Sequence, residues 1–65
     1  MERYTVVPNQ NATRWFVMVE DIAALGLYDR KSKAVNAAVL MAHENPPSQV
    51  IVMNNLHQPE EYRYF

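Results

Sequence analysis

The chain has no cysteine and a single glycine in 65 residues. The first absence excludes disulfides and thiolate metal sites, the second a glycine-rich loop that would wrap a phosphate. Charge of one sign is also scarce. Six basic against seven acidic residues leave a net charge of −1, which gives no electrostatic handle on nucleic acid or an anionic membrane. No apolar run approaches the length of a membrane span, and the opening MERYTVVP has no signal-peptide pattern, so the expected location is cytoplasmic. What is plentiful is apolar side chain, 49% of the residues, too much for a disordered chain. Residues 1–65 are expected to form a single domain. A domain of this size buries only about 60% of its unfolded surface, so it needs close helix-on-sheet packing or oligomerisation.

The segment KSKAVNAAVLMAHEN, Lys31 to Asn45, is the one stretch with sustained helical periodicity. At 3.6 residues per turn, Ala34, Val35, Ala38, Val39, Met41 and Ala42 share an arc of roughly 160°, and Lys33, Asn36, His43 and Glu44 lie opposite. Ala34, Ala38 and Ala42 recur every fourth residue, a smooth ridge that lets the helix axis approach a sheet. Asp29 is the expected N-cap, and Pro46 and Pro47 end the helix. Leu40 projects away from the apolar arc.

The flanking segments read as strands. Arg3–Val7 places Tyr4 and Val6 on one face, with Pro8 ending the strand or marking an edge. The polar NQNAT that follows suits a turn between antiparallel strands. Its Asn11-Ala12-Thr13 matches a glycosylation sequon, a match that is frequent by chance. Arg14–Glu20 reads as a central strand because both of its faces are apolar: Trp15, Val17 and Val19 against Phe16 and Met18. Asp21–Tyr28 has two readings, a helical turn ended by Gly26 or a loop leading to a brief strand at Leu27-Tyr28. Gln49–Met53 sets Val50 and Val52 against Ile51 and Met53, and Glu61–Phe65 sets Tyr62 and Tyr64 against Arg63 and Phe65. The expected fold is therefore α+β: a small, mainly antiparallel four-stranded sheet with one helix on one face, in the order β-β-α-β-β.

The succession YTVVP, RWFVMVE, KAVNAAVLMA, VIVMN and EEYRYF resembles an uncharacterised bacterial family, family 2188 of the domains of unknown function. The chain departs from that family's usual pattern at Arg14, at Arg30 and in the long NNLHQPE turn. The resemblance implies the α+β fold and brings no active site with it.

The residues themselves point away from catalysis. His43 and His57 are the only histidines, and His57-Gln58-Pro59-Glu60 supplies two ligand types where zinc needs three or four. Neither Ser32 nor Ser48 sits in a nucleophile elbow. Glu60 and Glu61 are adjacent in a strand-like segment, so their carboxylates are expected on opposite faces. No enzyme activity, metal or cofactor is expected. Arg30, Lys31 and Lys33 cluster at the helix start, against the helix dipole. They form a candidate anion or nucleic-acid contact, with Tyr4, Trp15, Phe16, Tyr62 and Tyr64 as bases' stacking partners. The plainer reading, solubilising charge and core aromatics, is preferred.

Geometry gives the functional expectation. A helix of about 15 residues is about 22 Å long and covers one face of a small sheet, yet two strands are apolar on both faces. Either Trp15, Val17 and Val19 or Phe16 and Met18 can face the helix. The first set is preferred because a Trp anchors a core, which leaves Phe16, Met18, Ile51 and Met53 for the other face, with the lone Leu40 as a lesser interface residue. The Ile22–Tyr28 segment, a second copy or another protein must cover that face. A homodimer is the commonest answer. The sequence thus points to a small protein–protein interaction module, homodimeric, with nucleic-acid binding as the alternative.

Overall fold

A computed structural model describes all residues, 1–65. Its elements are β1 (Glu2–Pro8), β2 (Trp15–Val19), β3 (Ala23–Tyr28), α1 (Lys31–Glu44), β4 (Ser48–Met53) and β5 (Pro59–Tyr64). The strands form one five-stranded sheet in the order β3-β2-β1-β4-β5. β1 and β4 run parallel, and the other three pairings are antiparallel. The parallel pair exists because α1 carries the chain back across the sheet. A hairpin cannot join parallel neighbours, whereas a helical crossover can.

Two expectations are corrected. The sheet has five strands where the sequence reading counts four, and it is mixed. The additional strand is β3, within the stretch read as a helical turn or as a loop leading to a brief strand at Leu27-Tyr28; the strand is there and begins earlier, at Ala23. Gly26 does not end a helix; it sits in the strand opposite Val17. β2 is an interior strand, flanked by β3 and β1, but an element covers only one of its two apolar faces. The middle place belongs to β1, whose terminal Pro8 pairs with Trp15, a position where a missing N–H costs the ladder little.

The core lies between α1 and one sheet face. Tyr4, Val6, Trp15, Val17, Val50 and Val52 meet the ridge of Ala34, Ala38 and Ala42, all three alanines without exposed surface. Val19, Tyr28, Val35 and Met41 close the margins. Burial raises the Tyr4 hydroxyl above the usual phenol range, with the charge of Glu2 adding to the effect. Residue alternation within β1, β2 and β4 sorts the side chains into two faces, and Trp15, Val17 and Val19, which share a face by their spacing, are on the inner side, the side favoured by the Trp as core anchor.

The helix ends differ in mechanism. Arg30, not Asp29, is the N-cap; its backbone is extended and no side chain caps it. Asp29 turns instead to Lys33, one helical turn on, at 3.1 Å, and that ammonium lowers the Asp29 pKa. At the other end the Asn45 amide donates to the Ala42 carbonyl at 3.2 Å, and Asn45 Nδ2 donates to the Met41 carbonyl at 2.9 Å. Two of the free carbonyls of the last turn are thereby used before the two prolines begin.

Candidate interaction face

The helix covers one face of the sheet, and no element lies on the other. Strand register places its residues. Val7 stands opposite Phe16, and Phe16 opposite Leu27. Thr5 lies between Met18 on one side and Ile51 on the other, and Ile51 stands opposite Tyr62. Phe16, Met18, Ile51 and Met53 thus share the helix-free face, as the period-two reading implies. They shield one another, so each is partly exposed, while Leu27 and Tyr62 are each 53% exposed. Leu40 is 62% exposed and stands away from this face, on the outer side of α1.

The face has a polar end. Arg3 stands opposite Gln49, and Gln49 opposite Tyr64. Arg3 Nη2 donates to Asp21 Oδ2 at 2.7 Å, and the Thr5 hydroxyl donates to Asp21 Oδ1 at 3.2 Å. Gln49 Nε2 donates to the Tyr64 hydroxyl at 3.1 Å. Arg3 Nε is buried without a partner, a departure from the usual pairing of buried polar atoms. The apolar end, from Val7 through Phe16 to Leu27, carries no charge.

Asp21 reaches Arg3 and Thr5 because of the β2–β3 turn. Glu20 and Asp21 both have left-handed backbones, with φ of 54° and 57°, and the Ile22 amide closes the turn on the Val19 carbonyl at 3.0 Å. Two successive left-handed residues match the twist of a two-residue hairpin, although Asn-Gly is the usual pair. Glu20 Oε1 accepts from the Arg3 amide at 2.7 Å, so both turn side chains are tied to β1.

A second surface lies between α1 and β5, which do not pack on each other. A groove of about 740 Å³ opens there, lined by residues that include Lys31, Glu60, Glu61 and Arg63 over Val35 and Val52. Here the sequence reading is corrected. A bulge between the pairings Val52–Glu61 and Met53–Pro59 leaves Glu60 without a β4 partner, and both carboxylates line the groove rather than opposite faces. Each already has a cation. Lys31 pairs with Glu60 and sits 5.3 Å from the centre of the Trp15 ring. Arg63 Nε donates to Glu61 Oε2 at 2.7 Å, which lowers the Glu61 pKa and raises that of Arg63.

The basic cluster at the helix start is therefore divided. Lys31 is engaged with Glu60 and Lys33 with Asp29, while Arg30 makes no ion pair. Of the aromatics, Tyr4 and Trp15 are buried under the helix, which leaves Phe16, Tyr62 and Tyr64 on the open face. The histidines are far from one another in role. His57 Nε2 lies 3.1 Å from the Pro8 carbonyl, and the His43 ring packs 5.9 Å from that of Phe65. No group of three or more His, Cys, Asp or Glu side chains is placed to hold a metal ion, and no helix is long and apolar enough to cross a membrane.

Known proteins bear on this arrangement through family alone. The model of a family described as uncharacterised protein conserved in bacteria (DUF2188) matches residues 4–62. An uncharacterised protein of Bacillus subtilis (strain 168), YycD, is 34% identical over 65 residues, which is 100% of this chain and 98% of the relative. No solved structure matches the chain.

Proposed function

The chain belongs to DUF2188, a bacterial family whose description carries no activity, and on that premise we propose that it is a non-catalytic protein–protein interaction module of the cytoplasm that forms a homodimer through the helix-free face of its sheet. The observation that supports this reading is the strip of Val7, Phe16, Met18, Leu27, Ile51, Met53 and Tyr62 on a face with no second layer. An open apolar sheet face favours association because burying it removes apolar surface from water, at about 25 cal/mol per Å² before the costs of association. A twofold dimer stacks the strip on its own copy and needs no second gene product. The polar end formed by Arg3, Asp21, Gln49 and Tyr64 gives the stacked pair an orientation, since its groups keep their partners only at the rim.

Sedimentation velocity tests it. At low micromolar concentration wild type is expected to run as a dimer, Met18→Glu as a folded monomer, and Leu40→Glu as a dimer. A wild type that stays monomeric at high micromolar concentration refutes the reading, and so does a Met18→Glu variant that dimerises like wild type.

A further inference from the structure

The sheet has two edges, and the chain treats them differently. β5 is defended. It begins with Pro59, carries Glu60, Glu61 and Arg63, and ties all three of these charges into ion pairs. Proline and charge are the usual means of keeping a strand edge from pairing. β3, the other edge, is AALGLY, with no charge and no proline. Leu25 and Leu27 are 47% and 53% exposed, and Ile22, just before the strand, is 84% exposed. Both edges carry a bulge, so the bulge does not account for the contrast.

We infer that β3 pairs antiparallel with β3 of a second copy, across a twofold axis normal to the sheet, to give a continuous ten-stranded sheet. The occupant of the edge is argued from charge. An axis near the middle of β3 sets Asp21 of one copy beside Arg30 of the other, and Arg30 is the cation at the helix start that makes no ion pair within its own chain. The strand's N-terminal flank carries Glu20 and Asp21, the latter also paired with Arg3. At its C-terminal flank Asp29 is paired with Lys33 and Lys31 with Glu60, which leaves Arg30 as the unpaired charge there. Antiparallel self-pairing therefore brings unlike ends together, and the uncharged strands between them meet without repulsion. Pairing also continues the apolar strip. Leu27 lies beside Phe16, so the strips of both copies join across the new strand pair. A six-residue strand is about 20 Å long, and an edge of that size buries less than the roughly 800 Å² per partner of a standard interface. The step is accordingly weak and appears at high concentration.

The inference rests on the chain associating with itself, the reading above, but not on the face. The test uses the Met18→Glu variant, in which the face is disabled. At high micromolar concentration this variant is expected to form a dimer by sedimentation, and adding Leu25→Lys is expected to abolish it. Arg30→Glu is expected to weaken it, with far-UV circular dichroism verifying the fold of each variant. Single cysteines supply a second readout in a chain that has none. Of Ala23→Cys, Leu25→Cys and Leu27→Cys, the one nearest the axis should oxidise to a cross-linked dimer faster than a control at Leu56→Cys. Loss of all association in Met18→Glu, its persistence after Leu25→Lys, or cross-linking no faster than the control overturns edge pairing. None of these outcomes touches the face reading, which stands or falls on whether Met18→Glu weakens the wild-type dimer.

Discussion

Ala38 has no exposed surface and is the middle residue of the alanine ridge, in the same core cluster as Val6, Val17 and Val50. A larger side chain there must push the helix away from the sheet or leave its rotamer well. Ala38→Leu is therefore expected to destabilise by about 1–3 kcal/mol, and Asn36→Ala, on the exposed side of the same helix, by almost nothing; thermal unfolding of the two variants measures the contrast. This was legible in the sequence, because the four-residue repeat of alanine has one sensible use. Gly26 was not. Its φ is not positive, so it is not there for a turn. A Cβ at that position would come within 2.8 Å of the Tyr28 ring, so the missing side chain makes room for an aromatic two residues on in the same strand. Nothing in a local pattern separates that use of glycine from a helix stop.

Among the elements, β2 and β4 are legible through their apolar and β-branched runs. Alternation sorts their residues into two sets but does not say which set faces the helix, and only the presence of Trp15 favours the set that does. β3 is less legible, for two physical reasons. Alanine and glycine have weak strand preference, and the strand owes its form to the neighbour it pairs with rather than to its own side chains. Its connection to β2 is equally hard to read, since Glu-Asp is an unusual occupant of two left-handed positions. What holds the turn is long-range: Asp21 accepts from both Arg3 and Thr5. Asp21→Ala removes both acceptors and leaves a residue that tolerates the left-handed region less well. The side chain is 59% exposed, so the ion pair itself contributes little. A loss of about 1 kcal/mol is expected, mostly from the backbone and the Thr5 hydroxyl, and urea denaturation midpoints measure it. Asp29 is not the N-cap for a related reason: its carboxylate pairs with Lys33 rather than with the helix amides.

At the scale of the whole molecule, the α+β class and the half-covered sheet followed from counting one helix against several two-faced strands. The strand order did not, because pairing between β1 and β4 joins residues far apart in the chain, and no local signal encodes it. The division of charges was likewise hidden: Lys31 and Lys33 read as free cations until their carboxylate partners, one across the fold and one on the preceding turn, are in view.

The central place of β1 has a consequence for motion. β1 has hydrogen-bonded neighbours on both sides, one reached through a short hairpin and the other only after the helix has crossed the sheet. β3 and β5 each have one neighbour. Opening of the native state should therefore proceed from the margins inward. In native-state hydrogen exchange the amides of Tyr4–Val6 and Val50–Val52 are expected to exchange slowest, near the rate set by global unfolding, and those of β5 much earlier. Of the strands of this sheet, β1 is synthesised before the others, yet it cannot complete its own pairing until β4, some forty residues later, has been made and docked.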